Sequence, residues 1–247
     1  MESSAAPAAR RRTARGRVGD DVIYREIYDA IIDHRLPPGT ALPEDTLASA
    51  FGVSRTVVRK AIIRLAHDRL VELRPNRGAA VERPTVKEAR ELFEARRLVE
   101  PSLITMTIGV IDDVQLQELR GSVDEERAAY TRGDRRTLIR LSGDFHRRLA
   151  EIAGNEVLSD LLGELISRTS LVIALYELPG IWPCSLDEHL RLLELVARRD
   201  EDAAAALMRE HLDHCEQQLD LTGKSKTVDL RALFAHVQAT ASERKAS

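Results

Sequence analysis

Three histidines fall on faces that the surrounding residues mark as apolar. His146 shares a helical face with Ser142, Leu149 and Ala153; His189 with Leu193 and Val196; His211 with Ala204, Leu207, Met208 and Cys215. A single histidine so placed reads first as a hydrogen-bonded core residue and only then as a ligand. The spacing sets two of them apart. The turn between the last two long predicted helices falls near Asp200, with His189 11 residues before it and His211 11 after it. At about 1.5 Å per residue, both lie roughly 16 Å from that turn, level across an antiparallel pair. Two inward imidazoles at one level make half of a metal site. His214, one turn beyond His211, is a lesser candidate.

Arg96 is a second group that demands a partner. Ala89, Leu92, Val99 and Leu103 form one apolar stripe, and Arg96 falls on it. An unpaired buried guanidinium costs several kcal/mol, so an anion must meet it. Glu100, four residues on, would serve as an internal salt bridge; an anionic ligand would serve equally. A one-residue rotation of the helix would instead turn Arg97 inward.

The elements that carry these residues are helices. Predicted segments run over 86–107, 112–131, 134–153, 156–176, 186–199 and 201–220, with loops at 108–111, 132–133 and around 179–183. Such short connections suit an antiparallel bundle of six or seven helices. Residues 222–247 are polar apart from a short helical pattern at "VDLRALFAHV". Hydrophobic residues at 43%, aromatics at only 4% and few glycines fit a mainly α-helical chain with a real core. No apolar run reaches the length of a membrane span. Cys184 and Cys215, without CxxC spacing, fit a reducing cytoplasm better than a disulfide framework.

Charge separates the chain into two parts. Residues 1–87 carry 16 Lys/Arg against 11 Asp/Glu, the remainder 21 against 29. A basic front and an acidic back point to a polyanion at the front. Residues 1–17, with five arginines and one glutamate, read as a disordered basic arm. Residues 18–83 then read as three helices and a hairpin, and 84–222 as the bundle, with 223–247 a tail.

Within the front, "LASAFGVSRTVVRKAIIRL" is a helix, a glycine-containing turn, a capping serine (Ser54) and a second helix, the pattern of a helix-turn-helix. Val58, Ala61, Ile62 and Leu65 make the buried stripe of the second helix. Arg55 and Arg59 share the outward face, with Thr56 and Lys60 beside them. Guanidinium groups so aimed can pair with guanine O6 and N7 in a major groove. The hairpin loop "RPNRG" adds Arg74, Asn76, Arg77 and Gly78, suited to phosphates or a minor groove. Together they predict a winged helix-turn-helix that binds double-stranded DNA.

The stretch "LPPGTALPEDTLASAFGVSRTVVRKAIIRLAHDRLVELRPNRGAAV" resembles the N-terminal domain of the GntR family of bacterial transcription regulators. The resemblance implies operator reading through Arg55, Thr56 and Arg59, with the wing tip at Gly78. Lys60 departs from the acidic residue common there, and Asp45 stands where some members carry a basic contact. Residues 86–220, through "FEARRLVEP", "DFHRRLAEIAGN", "DEHLRLLELVARRD" and "ALMREHLDHCEQQL", resemble the FCD effector domain of the FadR-type subfamily. That resemblance implies a divalent metal, zinc or similar, on His146, His189 and His211, and a small carboxylate effector near Arg96, with Asn155 as a pocket residue. The family's aspartate ligand would stand at Ser142. Asp144 is about 200° around the helix from His146 and cannot easily replace it. Either water or an effector oxygen completes a three-histidine site, or the metal is weak or absent.

The resulting expectation is a cytoplasmic, homodimeric regulator, by default a repressor, that binds a palindromic operator under control of an organic acid. A metal-dependent hydrolase would use the same histidines, yet no HExxH motif or placed general base accompanies them. A DNA-binding protein with a purely structural bundle is the remaining alternative.

Overall fold

The computed structural model describes residues 19–178 and 186–222. The arm expected at 1–17, the loop expected around 179–183 and the helical pattern of the C-terminal tail lie outside the described residues.

The front of the chain forms α1 (Asp20–Ile32), α2 (Glu44–Phe51) and α3 (Arg55–His67), then the antiparallel hairpin of β1 (Val71–Arg74) and β2 (Gly78–Val81). Gly52 ends α2 at φ 65°, a left-handed conformation that a Cβ would disfavour by roughly 1–2 kcal/mol. That turn sets α3 across α2. Ser54 is the N-cap residue of α3, but its hydroxyl makes no capping hydrogen bond. Ile23, Ile27 and Ile31 of α1 pack on Val58, Ile62 and Leu65 of α3, with Leu70, Val71 and Val81 closing the core. The chain before α2 is tied to the hairpin: Leu42 N donates to the Ala79 carbonyl at 2.8 Å, and Ala41 bridges Ala80. The wing is therefore anchored to the helices at its base, and its tip projects.

Six helices follow among the described residues: α4 (Val86–Val110), α5 (Asp113–Thr131), α6 (Arg135–Ala153), α7 (Glu156–Tyr176), α8 (Leu186–Arg198) and α9 (Glu201–Gln217). Their starts are chemically marked. Thr85 with Glu88 and Asp112 with Gln115 form reciprocal capping boxes, while Asp134, Asn155 and Asp200 cap α6, α7 and α9. The bundle is built around α4, which packs on α6, α7 and α9. Phe93, Leu103, Leu162 and Leu165 fill one part of the interior; Ile104, Ile108, Phe145, Leu149 and Leu192 fill another.

The expected loop at 108–111 is shorter than the sequence suggests, because α4 continues to Val110 and buries Ile108. Its end is held from afar. The Arg199 guanidinium, carried on a left-handed turn before α9, donates to the carbonyls of Ile108 and Ile111. A cap supplied 88 residues away leaves no local mark. The described residues are thus mainly α-helical: a winged helix-turn-helix head followed by an antiparallel helical bundle. None of the described helices is long and apolar enough to cross a membrane.

Candidate metal centre and DNA-reading face

His146 on α6, His189 on α8 and His211 on α9 meet inside the bundle. All three are buried, and one ligand atom from each lies within 4.8 Å of the others. His211 Nε2 is 3.3 Å from His189 Nε2 and 3.3 Å from His146 Nε2. The Phe145 ring stacks on His189 at 4.2 Å between centroids and fixes its plane.

Each imidazole turns its other nitrogen to a carboxylate. Nδ1 of His146 is 2.5 Å from Glu100 Oε2, that of His189 2.8 Å from Glu126 Oε2, and that of His211 2.8 Å from Glu188 Oε2. A proton on Nδ1 facing a carboxylate leaves Nε2 with its lone pair. One nitrogen of each ring then lies close enough to the others for the three to share a cation. Carboxylate-backed histidines are the usual support of metal ligands. The spacing also suits the ion. Zn–N bonds of about 2.0–2.1 Å put neighbouring nitrogens of a tetrahedron about 3.3–3.4 Å apart. The donor set fits a divalent metal of the zinc type.

Glu100 and Glu188 are held ionised. Burial pushes Glu100 up, but the Arg96 charge and the His146 contact outweigh it and hold the carboxyl down at about 2. Burial likewise opposes ionisation of Glu188, and hydrogen bonds with His211 and His214 reverse it. His214 meets the outer oxygen of Glu188 at 2.5 Å and so buttresses the site from its rim.

Arg96 is the inward arginine of α4. Its Nε donates to Glu100 Oε1 at 2.5 Å, while Arg97 pairs outward with Asp213 and Glu216. The salt bridge and the pocket are not alternatives, because Arg96 also lines a cavity beside the histidines. That cavity, of about 40 Å³, is bounded by Arg96, Ser142, His146, Thr169 and Cys215, and by Ile32 at the end of α1. A ligand larger than this space would have to part the helices around it. Asn155 stands elsewhere. Its Oδ1 accepts from Leu158 N at 3.1 Å to cap α7, and it lines a separate surface pocket with Gly154 and Asp160. Asp144 faces Arg140 and Arg147, each at 3.2 Å, and Ser142 takes the cavity side of α6.

The sequence pairs Glu100 with Arg96 by helical spacing but does not reveal Glu100, Glu126 and Glu188 as the partners of the three histidines. Glu126 did leave a signal: it shares the buried face of α5 with Ser122, Val123 and Ala129.

Hydrogen bonds join bundle and head. Arg147, next to His146, donates from Nη2 to Tyr28 Oη at 2.9 Å and Ser167 Oγ at 3.0 Å. Tyr28 and Ser167 are themselves 2.8 Å apart, and His34 Nε2 lies 3.1 Å from the carbonyl of Ser170. Leu171 of α7 completes the head core.

On the head, Ser54, Arg55, Thr56, Arg59 and Lys60 are exposed along one side of α3, and Asn76, Arg77 and Gly78 at the wing tip. Asn76 at φ 60° and Gly78 at φ 80° shape that tip. Two of the arginines already have partners: Arg55 pairs with Asp45 at 2.9 Å, and Arg59 grips both oxygens of Glu44 at 2.8 and 2.6 Å. Asp45 thus braces Arg55.

Comparison with known proteins matches this division. Residues 20–81 match the model of the bacterial regulatory proteins of the gntR family, and residues 91–214 that of the FCD domain. The HTH-type transcriptional repressor RspR of Escherichia coli K12 is 27% identical over 199 residues, covering 80% of this chain and 87% of its own. The HTH-type transcriptional repressor NanR of Cronobacter sakazakii is 29% identical over 229 residues, covering 83% and 86%. A GntR-type crystal structure from Rhodococcus sp. RHA1 superposes with a TM-score of 0.72 at 26% identity, covering 84% of this chain and 99% of that one. The hydrolase alternative falls with these matches, since the family and the named relatives are transcription regulators. The chain belongs to the gntR family of bacterial regulatory proteins, carries an FCD domain, and is a DNA-binding transcription regulator rather than an enzyme.

Proposed function

We propose that this regulator is a cytoplasmic homodimer that represses transcription from a palindromic operator until a small organic acid binds in its FCD bundle. Residues 18–83 serve as the reader and 84–222 as the sensor and dimerising unit. Arg55, Thr56 and Arg59, with Lys60, take the major groove; Ser54, Asn76, Arg77 and Gly78 take phosphates and the minor groove. His146, His189 and His211 hold a divalent metal, which supplies a Lewis-acid anchor for a carboxylate, and Arg96 supplies the second charge. Repression is favoured by the named activities of RspR and NanR.

One observation carries this reading: the cavity that exposes Arg96 and His146 also touches Ile32 of the head. An acid too large for about 40 Å³ must separate α6 from α7. That movement pulls on Arg147, Tyr28 and Ser167 together. The head then sits differently in bound and free protein, which is what differential DNA affinity requires.

A thermal-shift screen of small carboxylates, with and without a chelator, tests it. The expected result is stabilisation by one acid that disappears on chelation. If no acid moves the melting temperature in either condition, the bundle is a structural scaffold and the sensor role is wrong.

A further inference from the structure

Among the described residues, Arg59 is held by one edge of its guanidinium. The five N–H donors of that group form a rigid fork, with a side edge of Nε and Nη2 and an end edge of Nη1 and Nη2. Glu44, the first residue of α2, takes the side edge: Nε donates to Oε1 at 2.8 Å and Nη2 to Oε2 at 2.6 Å. The end edge is left over, and it suffices for a bidentate contact with guanine O6 and N7. The carboxylate is the more sheltered partner, with 21% of its side chain exposed against 60% for Arg59. Hydrogen bonds from Arg59 also hold the Glu44 carboxyl below the ordinary carboxylate range, so the clamp is charged at neutral pH. We propose that Glu44 is a specificity-determining residue of the head, which grips the side edge of Arg59 and aims its end edge at one guanine in each half-site. This rests on the reading of α3 as the major-groove helix and adds to it a positioning residue that touches no base.

An arginine held before DNA arrives loses less rotamer freedom on meeting a base, and it gains this only where the base matches its fixed direction. A carboxylate near the reading face also repels phosphates and so lowers affinity for every sequence. The aimed contact restores that affinity only where the guanine is present, which is how a repulsive group sharpens discrimination. The neighbouring pair repeats the device in part: Arg55 Nε meets Asp45 Oδ1 at 2.9 Å, again on the side edge. Adjacent carboxylates in the first turn of α2 thus each steer one of two arginines a turn apart on α3.

Selection from a random-sequence DNA library by the full-length protein, at fixed salt, reads base preference position by position. Wild-type protein should enrich a site in which one guanine per half-site is preferred roughly ten- to a hundredfold, and Arg59→Ala should lose the preference there alone. Glu44→Ala should lower the preference severalfold at the same position, leave other positions unchanged and bind unselected DNA more tightly. Added to Arg59→Ala, it should change the profile no further. A guanine preference that is unchanged or sharper in Glu44→Ala would overturn the proposal and leave Arg59 as the reader. Loss of preference at every position would overturn it too, by making Glu44 a residue of the fold. If Arg59→Ala keeps the wild-type profile, or wild-type protein enriches no sequence, the assignment of α3 to the major groove fails with it.

Discussion

Arg59 in the head and Arg96 in the bundle each meet a glutamate at nearly the same distance, 2.6 Å and 2.5 Å. Their surroundings differ completely. The Arg59 side chain is 60% exposed, whereas Arg96 and Glu100 are 7% and 2% exposed. A surface pair in water contributes little and exchanges partners readily. A buried pair contributes mainly through what happens when half of it is lost. The head therefore keeps Arg59 ordered yet free to exchange partners. The bundle ties Arg96, Glu100 and His146 into one network that responds as a unit.

The largest expected effect lies in that buried network. Glu100→Ala should destabilise the protein by about 3–5 kcal/mol in urea unfolding, because it breaks the buried Arg96–Glu100 ion pair. Glu44→Ala in the head should change stability by no more than about 0.5 kcal/mol. Equal costs at the two sites would erase the distinction. The pH dependence follows with a definite sign. The Glu100 carboxyl moves from 4.5 to about 2 on folding, so its contribution is complete above pH 4.5 and is lost as pH falls towards about 2. Glu100→Gln should flatten the acid limb of the stability profile over that window.

Metal removal comes next. A bound ion present at about 100 times its dissociation constant stabilises by about 2.7 kcal/mol, so chelation should lower the melting temperature of the wild-type protein. It should leave His189→Ala unmoved. A chelation effect that survives in His189→Ala would place the ion elsewhere.

In the head, Arg59→Ala should cost roughly ten- to a hundredfold in operator affinity, the worth of one bidentate base contact, with unchanged unfolding. The smallest effect is expected for Glu44→Ala, which leaves Arg59 unaimed and should weaken operator binding by a few-fold at most. Strengthened binding in Glu44→Ala would mean that the carboxylate holds the guanidinium back rather than aiming it.

Much of this contrast was legible in the sequence because it depends on local periodicity. Helical spacing put Val58, Ala61, Ile62 and Leu65 on one face and Arg55 and Arg59 on the other. It put the three histidines inward, and counting from Asp200 brought His189 level with His211, as found at 3.3 Å. The residues that failed are those whose partners are distant in sequence. Glu126 meets His189 across 63 residues, and Arg199 caps α4 across 88. No window along the chain contains such pairs. Asn155 is a different case: it sits where a helix starts, and the capping role of asparagine there is as local as any in the molecule.

Coupling between the two regions is the decisive property. The direct measurement is operator affinity at fixed salt, with and without the acid that stabilises the bundle, in wild-type protein and in Tyr28→Phe. The acid should weaken binding by wild-type protein about 5–150-fold, the usual span of an allosteric coupling, and by clearly less in Tyr28→Phe. An acid that raises the melting temperature yet leaves operator affinity unchanged would contradict that coupling.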